Sequence, residues 1–505
     1  MEKRRITRLL VANRGEIALR IIRSARVMGI RTAAVYSEAD ASAAHVAAAD
    51  DARLIGPPEP AQSYLNIAAI VEAAQALRAD AIHPGYGFLS ERPDFVRAAE
   101  AAGLIFVGPP AQVMATLGDK VAARRLAIAA GVPVVPGIDV ADPAPARKFA
   151  AETGFPILVK AAAGGGGRGM RIVERAQDLD AALEAASREA KAAFGDGRIF
   201  LERYLARPHH IEVQILGDHH GRVVAIGERE CSIQRRYQKV IEESPAPGLS
   251  PDLRSRIIDA ALRLARSAGY RNAGTFEFLV DGGSFYFLEV NARLQVEHPV
   301  TELCFGRDLV CDQLEIAAGA KVADPPAPRG CAIECRINAE DAAHDFRPAT
   351  GTVLELNLPA GPGVRVDTHI AAGAVISPFY DSLLAKLICH ADDRERARAR
   401  MSAALDEFSM LGVQNTAAFL RDVILSEPFA RPDLSTQFLP EFFPRWTPAN
   451  EDLKIALAAA AMAAQGTFEP ARAGAISRAP ADGAAETAAR SPWTRLGSFE
   501  LWGRR

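Results

Sequence analysis

Little in this chain would place it in a membrane, on nucleic acid or at a structural zinc. No apolar run in its 505 residues approaches the ~20 needed to span a bilayer. The basic start, Glu2-Lys3-Arg4-Arg5, leads into an apolar run too short for a secretory signal. None of the six cysteines forms a Cys-x-x-Cys pair. Cys331 and Cys335 lack companion ligands nearby, so buried free thiols are expected rather than zinc ligands. A net charge of −3 supplies no basic field for nucleic acid. The expectation is a cytoplasmic protein with no nucleic-acid and no membrane partner. Familiar nucleotide signatures are missing too. Ala12-Asn13-Arg14-Gly15-Glu16 is not Gly-x-Gly-x-x-Gly, and no Gly-Lys-Ser/Thr follows the glycines from Gly164 to Gly169, which excludes a Walker loop.

What is present is 49% hydrophobic residues, ample for cores, over a length that predicts about three domains. The first region alternates strand-like runs (ITRLLVAN, RTAAVYS, DARLIG, ADAIHP, LIFVGP) with helical ones, the pattern of a doubly wound parallel sheet. A second region opens near Gly118-Asp119-Lys120. There FPILVKAAAGGGGRGMRIV reads as a strand ending in Lys160, a glycine-rich turn and another strand. Glycines admit backbone N–H groups to phosphate oxygens, so a mobile flap over phosphates is one reading and a plain linker the other; Lys160 favours the flap. Arg203-Tyr204-Leu205, after a strand ending at Glu202, reads as a hinge. His209 and His210 are neighbours with poor chelating geometry. Arg235, Arg236 and Lys239 form a basic cluster balanced by Glu228, Glu230, Glu242 and Glu243.

The stretch from Phe285 to Glu302, FYFLEVNARLQVEHPVTE, changes abruptly from apolar to polar. If it stays extended, Glu289, Asn291, Arg293, Gln295 and Glu297 share one face. Such a face is either a solvated edge or a site for a hard cation and a small oxyanion. Glu277, in the strand-like GTFEFLV, adds a second inward carboxylate and points to a metal clamp. The third region reads as strands GTVLELNLP, VRVDTHI and LLAKLICHA, then a helix from Arg394 to Met410. Asp367 and His369 are taken as structural or dimer-related.

Together HPGYGFLSE, the glycine-rich turn with Lys160, SIQRRYQK, EVNARLQVEHPVTE and ECRINAED resemble biotin carboxylase, a family of the ATP-grasp fold, over residues 5–445. The resemblance implies an α/β chain with an N-terminal doubly wound parallel sheet (1–118), a central ATP-grasp domain with a mobile flap (119–328) and an α+β C-terminal domain (329–445). A helix and a disordered tail, resembling the start of a carrier-linking region, would fill 446–505. It implies ATP contacts at Lys120, Lys160, Gly166, Gly167, Glu202, Leu205, His210 and Tyr237. The implied ligands of Mg²⁺ or Mn²⁺ are Glu277, Glu289 and Asn291. Bicarbonate and catalytic positions fall on Lys239, Arg293, Gln295, Val296 and Glu297, and the biotin-facing arginine on Arg336. Tyr237 stands where the family commonly has His, Arg203 where it has Lys and Ala163 where it has Gly.

The implied activity is ATP- and bicarbonate-dependent carboxylation of biotin through carboxyphosphate, the first half-reaction of an acetyl-CoA or other acyl-CoA carboxylase. Glu297 would remove the bicarbonate proton, Lys239 and Arg293 would hold the anion, and Arg336 would stabilise the biotin oxyanion. No Met-Lys-Met sequence occurs, so biotin is expected on a separate biotin carboxyl carrier protein or domain. The other expected partners are a second copy, in a homodimer, and a carboxyltransferase subunit. Two rival readings are another ATP-grasp ligase and an inactive scaffold. The first would not be expected to carry QRRYQK and ECRINAED together; the second predicts losses at Lys239, Glu277, Glu289, Arg293 or Glu297, and none is lost.

Overall fold

A computed structural model describes residues 5–140, 143–161, 170–195, 197–448 and 450–464. Residues up to Pro448 form one compact unit and those from Ala449 onward a second. Of the second, the described part is one helix, Asn450–Ala464, as the alanine-rich sequence predicts. Among the described residues no helix is long and apolar enough to cross a membrane.

Five short strands open the chain: β1 (Arg8–Val11), β2 (Arg31–Ser37), β3 (Asp51–Gly56), β4 (Ala81–His83) and β5 (Ile105–Phe106). All pair in parallel, in the order β3-β2-β1-β4-β5. The chain starts in the middle and winds outward both ways, which places a ligand-accessible crevice at the strand ends near Asn13. Asn13 Nδ2 donates to the carbonyls of Pro84 and Tyr86, so it ties the two strand-end turns together. The helix Gly15–Val27 follows β1 directly and begins on a left-handed glycine, φ +67°, a conformation without penalty only for Gly.

A four-stranded antiparallel sheet comes next, from β6 (Gly137–Val140), β7 (Ile157–Ala161), β8 (Met170–Val173) and β9 (Ile199–Arg203), ordered β6-β9-β7-β8. Lys160 pairs with Met170 across β7 and β8. Gly166 and Gly167, in the glycine-rich turn, lie outside the described residues.

The largest element is an eight-stranded sheet. It contains β10 (His209–Gly217), β11 (Val223–Arg235), β12 (Gln238–Ser244), β13 (Asn272–Asp281), β14 (Ser284–Asn291), β15 (Cys331–Asn338) and the strands Val364–Thr368 and Leu383–Ala391. Their order is β14-β13-β10-β11-β12-β15, then Leu383–Ala391 and Val364–Thr368, so hydrogen bonding runs unbroken across all eight strands. The helix Pro251–Ser267 covers one side. Ser250 caps it by accepting from Leu253 N, with Pro251 in the first turn, where a missing N–H does no harm. Phe278, fully buried, meets the edges of Phe285 and Phe287 at centroid distances of 5.8 and 6.2 Å. Gly274 on β13 is required by a close approach, because a Cβ there would lie 1.8 Å from Tyr270 Oη.

Two expectations for the third region change. GTVLELNLP is not one strand: Gly351–Thr352 pairs with Val375–Ile376, while Glu355–Asn357 pairs with Ser409–Leu411. The switch falls at buried Val353, whose N–H goes to Ala374 O while that of Leu354 goes to Leu411 O. The helix from Arg394 ends at Glu407, not Met410. Phe408 and Met410 are buried while Ser409 and Leu411 are exposed, the two-residue alternation of a strand. Five of the six free cysteines are buried and Cys311 is half-buried.

The sheet that carries the polar cleft depends on its aromatic backing. Phe278→Ala is expected to lower the unfolding free energy by about 3–5 kcal/mol, read by denaturant titration; a loss below about 1 kcal/mol would mean that the Phe278 site collapses freely.

Candidate active site

Charged residues inside otherwise apolar strands build the cleft. On four neighbouring strands Glu289, Glu277, Glu212 and Arg229 stand opposite one another, so their side chains leave the same face. Lys239, from β12, reaches into this row. Its Nζ donates to Glu212 Oε2 at 2.5 Å, Glu297 Oε1 at 2.6 Å and Glu277 Oε1 at 3.0 Å. Burial disfavours the ammonium, but Glu212, Glu277 and Glu297 outweigh it and raise the Lys239 pKa well above the ordinary lysine range. Arg229, with no exposed surface, also binds Glu212 and donates to Gln214 and Thr301 at 2.9 Å and to Thr275 at 3.0 Å.

Glu297 closes the far side. It immediately precedes the helix His298–Phe305 and is fully buried. Arg336 Nη2 donates to its second oxygen at 2.9 Å. Burial opposes ionisation of Glu297, but Lys239, Arg336 and Arg229 hold its pKa well below the usual carboxylate range. Arg336 is steadied from behind by Glu242, which accepts from Nε at 2.6 Å. Arg293 donates to Asn291 Oδ1 at 3.0 Å and Gln295 Oε1 at 3.1 Å, and its Nε faces Glu91 Oε2 at 3.2 Å.

The expectation of a continuous extended face from Glu289 to Glu297 fails, because β14 ends at Asn291. Asn291, Arg293 and Gln295 come together by another route: Glu277 Oε1 accepts from Asn291 Nδ2 at 2.7 Å and Gln295 Nε2 at 3.0 Å. Asn291 therefore turns its amide nitrogen to Glu277 and its oxygen to Arg293. The other oxygen of Glu277 accepts from His210 at 2.9 Å. Burial would raise the Glu277 pKa, yet Lys239 and His210 hold it far below the ordinary range. Glu289 moves upward through desolvation and the Glu277 charge. It keeps 37% exposure, with Lys120 Nζ at 3.8 Å.

The remaining ATP candidates lie on β7, on β9 and just after it, and at the β11–β12 turn. Lys160 Nζ meets Glu202 Oε2 at 2.5 Å, and Leu205 is buried. Tyr237 is 55% exposed at the β11–β12 turn, in the left-handed region with Arg236. After burial itself, Tyr237 is the neighbour that most raises the Tyr204 phenol pKa. Arg235 and Arg236 both pair with Asp345, so the basic cluster splits and only Lys239 points into the cleft. The carbonyl of Val296 accepts from buried Lys386, whose Nζ also lies 3.1 Å from Glu16.

Glu212, Arg229, Glu91 and Glu242 are missing from the candidates that the sequence supplies. For Glu212 and Arg229 the signal was present, as lone charges inside the apolar strands HHIEVQILG and VVAIGERECSIQR. Glu91 lies 201 residues from Ala292, whose N–H it accepts, and no local pattern announces that contact.

Comparison with known proteins places the chain in a family. The models described as "Biotin carboxylase, N-terminal domain", "Carbamoyl-phosphate synthase L chain, ATP binding domain" and "Biotin carboxylase C-terminal domain" match residues 5–114, 119–324 and 334–441. The biotin carboxylase of Haemophilus influenzae is 46% identical over 440 residues, covering 86% of this chain and 98% of that protein. The chain belongs to the biotin carboxylase family. As a biotin carboxylase it is an ATP-grasp ligase that carboxylates biotin. It is also 47% identical to a pyruvate carboxylase subunit of Methanothermobacter thermautotrophicus, over 86% of this chain and 90% of that one. Of human pyruvate carboxylase, 48% identical, it spans 38%. Among solved structures it resembles the biotin carboxylase domain dimer of Hydrogenobacter thermophilus 2-oxoglutarate carboxylase, in complex with MgADP, ADP and bicarbonate. That likeness has a TM-score of 0.82 and 43% identity, covering 86% of this chain and 97% of that one.

The charge balance around Lys239 has a measurable consequence. In the wild type Glu277 and Glu297 sit below their unfolded pKa values, so their contribution is present above about pH 4.4 and is lost as the pH falls. Lys239→Met removes their common counter-ion and pushes them upward, so the folded variant must hold protons that the unfolded chain releases. The stability gap between wild type and variant should widen as the pH rises from about 4 to about 7, measured by urea unfolding; a gap independent of pH would contradict the charge assignment.

Proposed function

We propose that the chain carboxylates biotin on a separate carrier protein or domain, using ATP and bicarbonate through carboxyphosphate, as the first half-reaction of a multicomponent carboxylase. The observation that supports this most directly is the convergence of Lys239, Arg293, Gln295, Glu297 and Arg336 beside the Glu277–Glu289 pair. Residues 1–118, 119–328 and 329–445 are proposed as its domains. The partners are a carrier, a second copy of the chain and a carboxyltransferase subunit. The relatives include pyruvate and 2-oxoglutarate carboxylases, which widens the acyl-CoA acceptor expected from sequence to 2-oxo acids.

Lys120, Lys160, Glu202, Leu205, His210 and Tyr237, with Gly166 and Gly167, are assigned to ATP. The carboxylate oxygens of Glu277 and Glu289, with Asn291 beside them, suit Mg²⁺ or Mn²⁺. Such an ion supplies charge neutralisation at the ATP phosphates. Arg293 presents a planar fork to planar bicarbonate, next to Gln295 and the backbone at Val296. Glu297 is already free of a proton, the state a base requires, but two cations hold it. Bicarbonate that takes donors from Lys239 would loosen one of them, raise the Glu297 pKa and turn it into a competent base. Bicarbonate oxygen then attacks the γ-phosphorus of ATP and ADP leaves. Carboxyphosphate breaks down to CO₂ and phosphate, the phosphate takes the ureido proton of biotin, and Arg336 stabilises the oxyanion.

Bicarbonate-dependent ATP cleavage, stimulated by free biotin, is the direct test; turnover indifferent to both would overturn the reading. Substitutions should divide the reaction in two. Arg336→Met should lower carboxylation of free biotin by roughly a hundredfold while ATP cleavage without biotin falls far less. Glu297→Gln should depress both, because its step precedes both. ADP release and fixation of labelled bicarbonate would be compared; equal losses for Arg336→Met would move that residue to the ATP half-reaction.

A further inference from the structure

The sheet face beneath the helix His298–Phe305 carries more buried acid than the reaction above employs. Glu242 on β12 and Glu334 on β15 are direct cross-strand partners, so their side chains leave the same face with Cβ atoms about 5 Å apart. Both are fully buried. Glu242 grips Arg336 through Oε1, which contacts both Nε and Nη2. Among the described residues no donor reaches Glu242 Oε2 or either oxygen of Glu334.

The charges facing Glu334 come from four elements: Glu242 from β12, Arg336 from β15 itself, Lys386 from Leu383–Ala391 and Glu297 from the start of the covering helix. Neither cation is free to neutralise it. Arg336 is held by Glu242 and Glu297; Lys386 is held by Glu16, by Asp367 at 3.8 Å on the next strand, and by Val296 O. Further along, Glu302 on the covering helix is taken by Arg20 and Arg365, and burial and the nearby cations Lys386, Arg20 and Arg365 keep His298 neutral. An ionised carboxylate with no donor is among the costliest groups an interior can hold, and it takes up a proton instead. A protonated Glu334 gains one hydroxyl donor, and its cross-strand neighbour offers an acceptor that lacks one.

We propose that Glu334 is a positioning residue for Arg336: as a neutral carboxylic acid it donates to Glu242 Oε2 and so fixes the clamp that aims Arg336 at Glu297 and biotin. The proposal rests on the assignment of Arg336 to biotin. Burial pushes the Glu334 carboxyl well above its ordinary range and that of Glu242 to about 7, as expected of two acids that share one proton.

Infrared difference spectra of the whole chain, wild type minus Glu334→Gln, test the shared proton without reference to activity. A protonated-carboxyl C=O stretch present in the wild type and lost in the variant is expected; absence of that band overturns the proposal even if Arg336 serves biotin. Holding the proton also makes the folded wild type lose stability as the pH rises, relative to Glu334→Gln. The Tm difference in favour of the variant should therefore grow from about pH 6 to about pH 9, and a constant difference counts against the proposal. The kinetic arm reads the ratio of biotin carboxylation to biotin-independent ATP cleavage. Glu334→Leu, with no donor, should lower it about tenfold, whereas the Gln amide can still donate to Glu242 and should restore it to within about twofold of the wild type. An unchanged ratio in Glu334→Leu overturns the positioning role. If that variant does not fold, the infrared and Tm measurements on Glu334→Gln still decide.

Discussion

Lys239 sits among Glu212, Glu277 and Glu297, three carboxylates with almost no exposure, and the layout of the cleft follows from keeping that cluster in balance. Unpaired, each buried acid would be strongly destabilising or would take a proton. One ammonium cannot satisfy six carboxylate oxygens, so other donors are recruited from different parts of the chain: Arg229 for Glu212, His210 with two amides for Glu277, and Arg336 for Glu297. Residues proposed for nucleotide, anion and biotin are therefore partners in one electrostatic assembly. A substrate that enters it exchanges donors with a network already formed.

The continuous sheet makes such an assembly possible. Eight strands lie in one hydrogen-bonded surface, so groups far apart in sequence take fixed lateral positions. The row Glu289, Glu277, Glu212 and Arg229 is set by register, and register follows from which residues of each strand are apolar. The aromatic layer of Phe278, Phe285 and Phe287 on the opposite side thus determines where the carboxylates stand. Packing and chemistry here are two faces of the same pleat.

Much of this was legible from the chain, and the reasons are physical. The parallel first sheet declares itself through short apolar runs separated by helical ones. Glu277 and Glu289 stand out because a carboxylate inside an apolar strand needs a purpose. Glu212 and Arg229 obey the same rule, but each is a single charge in a long strand and passes for a solvated one. The stretch from Asn291 to Glu297 misleads because its alternation imitates a strand, while in the structure it is an irregular turn that leads into the helix at His298. Glu91 was out of reach, since its partners are set by how distant segments dock. In the third region, switches of strand partner at Val353 and of secondary structure at Phe408 leave no mark on apolar periodicity.

Lys386 has a place in this architecture unlike that of any substrate-facing residue. It springs from the strand next to one edge of the large sheet, is fully buried, and joins the carbonyl of Val296 to Glu16 at the start of the first helix. Val296 is the residue immediately before Glu297. The position of the proposed base is thereby referred to the N-terminal sheet through a strut one side chain long. Machines in which the tool is bolted to the frame keep their alignment while other parts move. Drift in sequence at the first helix is then felt at the reacting centre as an offset in geometry, and Glu16 and Lys386 are free to vary only in concert.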